Sequence, residues 1–294
     1  MLDVIIIGGS SAGLSAALVL GRSLRKVVVI DDQKPCNRFS HASHGYLTRD
    51  GTFPSDLLRI SREQLERYST VAFKPATATR IDKTDSGLEV VSSDGSKLAS
   101  RTVLLATGLQ DELPALNGID RLWGKSVFHC PYCDGYEVRG KHIAVYGASE
   151  DVLHLVMMMR NLTLCTNGQW TPSAAQHERL VRHGIHVVER RISALESTDS
   201  QLQAIRFADG SALTVDALFI RPKTSHRTTF AVDLGCDVDA AGVVRVDSRG
   251  RTTVHGVYAA GDLSSPMRSV AIAVAQGAAA AYGINADLVD TDFS

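Results

Sequence analysis

A short apolar run that ends in glycine, opens a helical stretch and returns to a second apolar run occurs twice in this chain. The first copy is Val4-Ile5-Ile6-Ile7, an alanine- and leucine-rich segment with helical spacing through Leu20, and Val27-Val28-Val29-Ile30. The second is Ile143-Ala144-Val145-Tyr146, the apolar stretch from Val152 to Met159, and Leu162-Thr163-Leu164-Cys165. Continuous apolar runs are the mark of strands buried on both faces, and parallel neighbours of that kind need a crossover helix. The duplication therefore predicts an α/β protein made of two doubly wound, Rossmann-like dinucleotide-binding domains. With 294 residues, 44% of them hydrophobic, the chain is long enough to give each domain its own core.

Between the copies, Leu88-Glu89-Val90-Val91 and Val103-Leu104-Leu105-Ala106 read as strands and Asp56 to Tyr68 as an amphipathic helix, completing the first domain. The polar segment Gln110-Asp111-Glu112-Leu113-Pro114 marks a crossing to the second, since proline cannot continue regular pairing. A return crossing is expected near Ala240-Ala241-Gly242. After it, Val257-Tyr258-Ala259-Ala260-Gly261-Asp262 reads as a strand ending in a turn, followed by an alanine-rich helix through Tyr282 that rejoins the first domain. The expected division is 1–112 and 243–294 for a discontinuous first domain, with 113–242 inserted in it.

A net charge of -1 gives no reason to expect a nucleic-acid partner, which would call for concentrated basic charge. No apolar run approaches the roughly 18 residues that span a bilayer, and the first strand starts at Asp3-Val4 with no room for a leader, so a soluble cytoplasmic protein is expected.

Gly8-Gly9-Ser10-Ser11-Ala12-Gly13 ends a strand and opens a helix, the context a phosphate-binding turn requires. Gly8 suits the tight turn, Gly13 the close approach of helix to sheet, and Ser10 stands where a second glycine is usual. The helix start then offers N–H groups to a diphosphate. Asp31, about 20 residues on, is placed to accept from a ribose, with Asp32 and Arg38 beside it in the same expected site. An isolated imperfect match would equally describe an ordinary glycine turn, but Ala106-Thr107-Gly108 and Ala260-Gly261-Asp262 each follow an apolar strand at a distance suited to the same crevice.

Five cysteines do not make a scaffold in a chain this long, and an odd number leaves one unpaired. Cys36, Cys165 and Cys236 stand alone and read as small, partly buried hydrophobes. His129-Cys130-Pro131-Tyr132-Cys133-Asp134-Gly135 is different: two thiols at this spacing can close a small disulfide ring, and Asp134 can pass a proton to or from a departing thiolate. A zinc knuckle needs a second pair of ligands at similar spacing, and the nearby His129 and His142 do not supply it, so no metal is expected.

Taken in order along nearly the whole chain, the glycine turn, Ala-Thr-Gly, Cys-x-x-Cys-Asp before a second dinucleotide unit, and the closing Ala-Gly-Asp with its helix resemble the low-molecular-weight thioredoxin reductases. The resemblance implies a homodimer with FAD at the first site and a disulfide that alternates between flavin and a thioredoxin-like partner. It further implies that Cys133 lies nearest the flavin, that Cys130 attacks the substrate disulfide, that Asp134 is the acid, and that Arg268-Ser269-Val270-Ala271 stands at the flavin ring. Asn37-Arg38 and the segment His41 to Asp50 look more like a divergent branch that includes small-molecule dithiol oxidases and reductases not using NADPH. His41 and His44 there read either as catalytic or partner-facing groups or as ordinary loop histidines.

The second unit departs from the pattern. Gly147-Ala148-Ser149-Glu150-Asp151-Val152 keeps the first glycine but sets two acids at the helix start, where a pyrophosphate would meet like charge. Cys165-Thr166-Asn167-Gly168 lacks an arginine cluster for a 2′-phosphate, and Arg160-Asn161 leads almost directly into the strand, a shortened connection. Arg221-Pro222-Lys223 could meet an anion or form a surface pair. NADPH is thus a poor fit. The leading expectation is a flavin-dependent disulfide oxidoreductase that does not use NADPH efficiently, its donor open and ferredoxin or another protein one choice. A dithiol oxidase for a small molecule with oxygen as acceptor, and a flavoprotein redox sensor without turnover, are the alternatives.

Overall fold

The computed structural model describes all residues except Arg160 and Asn161, so the expected short connection through that pair lies outside the described residues. The chain divides into two units, one formed by 1–38, 45–110 and 224–294 and the other by 39–44 and 111–223.

In the first unit the apolar runs become a seven-stranded sheet. Its order is Val71–Pro75, Val27–Asp31, Leu2–Ile7, Lys97–Leu105, Gly87–Ser92, Ala78–Thr84, with Val257–Ala259 also paired to Lys97–Leu105. Leu2–Ile7 is parallel to both its neighbours, while the strands from Ala78 to Leu105 run antiparallel as a meander.

Side chains alternate across this sheet, as strand geometry demands. Val4, Ile6, Leu104 and Tyr258 join the core under the helices Ser11–Arg22 and Val270–Asp292. Ile5, Ile7, Val103, Leu105 and Val257 face the other way, onto Phe230, Ala231, Leu234 and Cys236. Those last residues move the return crossing. It falls between Lys223 and Thr224 rather than near Ala240–Gly242, because the short helix Phe230–Asp233 buries its apolar face on the first sheet. The forward crossing falls between Gln110 and Asp111. The two passages, Leu109–Glu112 and Lys223–His226, pair as a two-stranded ribbon.

The two long helices pack through small residues, Ala12, Ala16 and Ala17 against Ala273, Ala280 and Ala281. A Cβ on Gly277 would overlap the Ala12 carbonyl oxygen, and Ser15 Oγ donates to Val274 O at 2.7 Å. The C-terminal helix runs on to Asp292, ten residues past the expected stop at Tyr282. Asp287 on that extension accepts from Arg251 Nη2 at 2.6 Å and from the buried Tyr258 hydroxyl, and the Arg251 guanidinium holds its carboxyl below the usual range.

The second unit contains a five-stranded parallel sheet in the order His186–Val188, Leu162–Cys165, Ile143–Tyr146, Ala217–Ile220, Val127–Phe128. A three-stranded antiparallel sheet, Ile192–Thr198, Gln201–Phe207 and Ala212–Thr214, accompanies it. Alternation again splits the core: Ala144, Tyr146, Leu218 and Ile220 lie on one face, and Ile143, Val145, Ala217 and Phe219 on the other. The helical segment between Ile143–Tyr146 and Leu162–Cys165 is short among the described residues. A 3-10 turn, Glu150–Val152, leads into only five α-helical residues, Leu153–Met157, where the first unit has 12.

Candidate active site

The first glycine turn is built by close backbone contacts. Gly8 has φ 106° and donates to Ile30 O at 2.8 Å, while Ala106 N donates to Ile7 O at 2.8 Å. A Cβ on Gly8 would overlap the Ala106 carbonyl, and one on Gly13 would overlap the Gly8 carbonyl, so the turn, the Ala-Thr-Gly segment and the helix start are locked together. The first intrahelical bond runs from Leu14 N to Ser10 O, which leaves the N–H groups of Ser11, Ala12 and Gly13 directed out of the helix end.

Asp31 is fastened at both oxygens. Gly9 N donates to Oδ1 at 3.0 Å and Arg62 Nη2 to Oδ2 at 2.6 Å. Arg62, on the helix Pro54–Leu65, was not singled out from sequence, and its Nε is buried without a hydrogen-bond partner among the described residues. Thr107 Oγ1 is in the same condition. Ser43, Thr70, Ser92 and Thr166 have hydroxyls in that condition too, so what singles out Arg62 and Thr107 is that each also adjoins the glycine turn, Arg62 through Asp31 and Thr107 beside Gly8, where a bound molecule would supply a partner.

Asp32 pairs with Arg227 at 2.8 Å, and the exposed Arg38 donates to Pro35 O at 3.0 Å. At the closing segment Gly261 has φ 78° and lies against Ala12, where its Cβ would come within 3.1 Å of the Ala12 Cβ. Gln276 Oε1 accepts from Gly261 N at 3.0 Å, and Arg268 Nε meets Asp262 Oδ2 at 3.2 Å. Ser269 caps the C-terminal helix, which starts at Val270, by accepting from Ile272 N at 3.2 Å. Gln276 carried no motif signal.

Cys130 and Cys133 form a disulfide with their Cα atoms 5.2 Å apart, on a single helical turn, Pro131–Asp134. Proline at the first helical position fits the turn, and Cys133 N donates to Cys130 Sγ at 3.1 Å. Tyr132 between them is 84% exposed. His129 packs on the Trp123 ring at 5.6 Å. Burial pushes the Asp134 carboxyl up to about 6; His44 acts to lower it and Glu137 to raise it. The remaining cysteines differ: Cys36 is exposed, whereas Cys165 and Cys236 are buried, and burial pushes the Cys165 thiol up to about 12. A thiol kept protonated is a poor nucleophile.

The second glycine turn begins like the first, with Gly147 N donating to Cys165 O at 3.1 Å. Five residues on, where the first turn has Gly13, stands Val152, and its side chain occupies the space a Cβ on Gly147 would take. The acids are engaged locally: Glu150 Oε2 accepts from Gln176 Nε2 at 3.1 Å, and Arg221 donates to Asp151 O at 2.9 Å. Arg221 is thus part of a surface pair with Asp151.

The family model for pyridine nucleotide-disulphide oxidoreductases matches residues 2–277. The chain belongs to that family. Within it, several of the relatives are thioredoxin reductases. A thioredoxin reductase of Aspergillus oryzae is 31% identical, over 98% of this chain and 96% of that protein. A putative thioredoxin reductase of Bacillus anthracis superposes with TM-score 0.95 at 33% identity, covering 99% of this chain and 100% of that one. An oxidoreductase of Agrobacterium tumefaciens gives 0.92 at 36% identity, over 98% of each. The protein is therefore a thioredoxin reductase-like flavin disulfide oxidoreductase. Its two-domain dinucleotide-binding architecture is the one that the sequence repeat predicted. No described helix is long and apolar enough to cross a membrane.

Proposed function

We propose that this oxidoreductase binds FAD in its first unit, exchanges electrons with a dithiol or disulfide partner through Cys130 and Cys133, and does not draw them efficiently from NADPH. A protein such as ferredoxin is then the donor. The observation that carries the reading is the contrast between two turns of one chain: glycine at Gly13 lets the first helix come close to its strand, whereas the Val152 side chain fills the second turn. A pyrophosphate there would also face Glu150 and Asp151 across a helix start only a few residues long.

The residues of the first turn fit a flavin dinucleotide. The Ser10–Gly13 helix start would take the pyrophosphate, Asp31 with Arg62 the ribose, and Thr107 and the Asp262–Arg268 pair the rest of the cofactor, with Arg268-Ser269-Val270 at its ring. Bound FAD supplies a two-electron store. The protein's own part is thiol chemistry. A partner's dithiol reacts as follows: one thiolate attacks Cys130 Sγ, the Cys130–Cys133 bond breaks, and the Cys133 thiolate takes a proton from the Asp134 carboxyl. The second partner thiol then closes the partner's disulfide and releases Cys130, so that two electrons and two protons move from partner to enzyme. The reverse sequence reduces a disulfide. The thioredoxin reductases among the relatives support a thioredoxin-like partner. The resemblance also supports a cytoplasmic homodimer.

The test is anaerobic mixing of the purified flavoprotein with NADPH, NADH, reduced ferredoxin or dithiothreitol while flavin absorbance is followed. Slow bleaching by NADPH and fast bleaching by another donor is expected; fast bleaching by NADPH overturns the reading of the second turn. Cys130→Ser should keep flavin and lose turnover with a disulfide partner. Oxygen consumption with a small dithiol, and none of the thioredoxin activity, would establish the dithiol oxidase instead.

A further inference from the structure

The segment 39–44 is flanked on both sides by the first unit yet clusters with the second. Its two ends are fixed there. A Cβ on Gly124 would run into the Phe39 backbone at 2.8 Å, so Phe39 lies directly on that glycine. At the other end Ser43 is buried, and His44 Nε2 sits 3.6 Å from Glu137 Oε1. Glu137 follows Asp134 by three residues, just beyond the turn that carries the disulfide. A histidine distant in sequence is thus brought to the acidic side of the redox segment.

We propose that His44, held against Glu137, is a positioning residue for thiol–disulfide exchange at Cys130–Cys133, acting through Asp134. This rests on the functional reading above. Among the described residues, the charges that act on the Asp134 carboxyl are His44 from the 39–44 segment and Glu137 from its own segment. As imidazolium His44 favours the carboxylate, and Glu137 favours the protonated acid. The pair therefore sets how often Asp134 holds the proton that the departing Cys133 thiolate takes up. In the exchange R(SH)2 plus the Cys130–Cys133 disulfide gives RS2 plus two cysteine thiols; one S–S bond forms as one breaks. Asp134 gives a proton to Cys133 and regains one from the partner's second thiol, and no outside oxidant enters. The requirement is for a charge of defined sign at this spot, which packing alone would not demand.

The experiment uses wild-type holoenzyme, His44→Gln and Glu137→Gln, and follows anaerobic flavin bleaching by dithiothreitol between about pH 5 and 9. Ionisation of the dithiol is common to all three proteins, so a difference between profiles belongs to the enzyme. The midpoint of the limb on which rate is lost as Asp134 gives up its proton is expected to rise by about one pH unit in His44→Gln and to fall by a similar amount in Glu137→Gln. Flavin content should stay the same. Superimposable profiles, or shifts in one common direction, overturn the proposal. Should His44→Gln not fold, Glu137→Gln decides alone: its side chain is 42% exposed, and an unmoved midpoint overturns the proposal. Iodoacetamide alkylation of the pre-reduced pair, read by mass spectrometry over the same range, separates the two readings. If dithiothreitol bleaches no flavin at any pH, the functional reading falls, while opposed shifts in alkylation uphold the role of His44 and coincident ones reject it.

Discussion

Val152 packs directly onto Gly147, closing the second glycine turn with a hydrocarbon side chain. At the first turn the corresponding neighbour of Gly8 is the Ala106 carbonyl, and Gly13 lies against the Gly8 carbonyl, so backbone stands where the second turn has a side chain. The same glycine-rich start therefore serves two ends, and substitutions should separate them.

Gly13→Ala forces a Cβ into the Gly8 carbonyl and should yield protein with little or no bound flavin. Gly147→Ala meets the Val152 side chain first; it should lower stability by about 1–3 kcal/mol through overpacking and leave flavin content unchanged. Absorbance of the purified variants and their thermal midpoints check both.

Asp134 carries a pH signature. Its folded-state value, pushed up to about 6, lies above the ordinary 3.8, so the folded protein binds the extra proton between those values. The acid's contribution to stability is full below about pH 4 and is lost as pH rises through about 6. Asp134→Asn should flatten that change, on the order of 2–3 kcal/mol, in urea midpoints measured from pH 4 to 7. The same variant should slow exchange with dithiothreitol.

Arg62 is expected to hold Asp31 in place for the cofactor. Arg62→Met keeps most of the packing and removes the 2.6 Å ion pair. Flavin affinity should weaken roughly tenfold, equivalent to about 1.4 kcal/mol. Fluorescence titration of the apoprotein with FAD measures it.

Gly277→Val would thrust a branched side chain into the Ala12 backbone, at the helix start of the first glycine turn. Backbone cannot swing aside as a side chain can. A loss of at least about 2 kcal/mol, accompanied by loss of flavin, is expected on thermal denaturation.

What could be read from the chain alone was whatever is local. The Gly8–Gly13 turn, Asp31 after the second strand and the Cys130–Cys133 pair each show their chemistry within a few residues, because strand, turn and helix start are consecutive. Arg62, Gln276 and Glu137 escaped notice because tertiary packing alone brings them to Asp31, Gly261 and His44. The return crossing was set too late because Phe230–Asp233 is a single helical turn with no period to read, and only its burial on Ile5, Ile7 and Val103 assigns it. Val152 looked like any apolar helix residue; its meaning lies in the space above Gly147.

The split ownership of residues 39–44 has a practical consequence for anyone hoping to treat the disulfide-bearing module as a transferable cassette. A fragment cut at 111 and 223 would leave behind Phe39 and His44, and with them the packing on Gly124 and the imidazole opposite Glu137. Grafting that module onto another flavoprotein requires two stretches of donor sequence, and a chimera carrying just the longer one should retain its cysteines but inherit the acid–base behaviour of the recipient's loop.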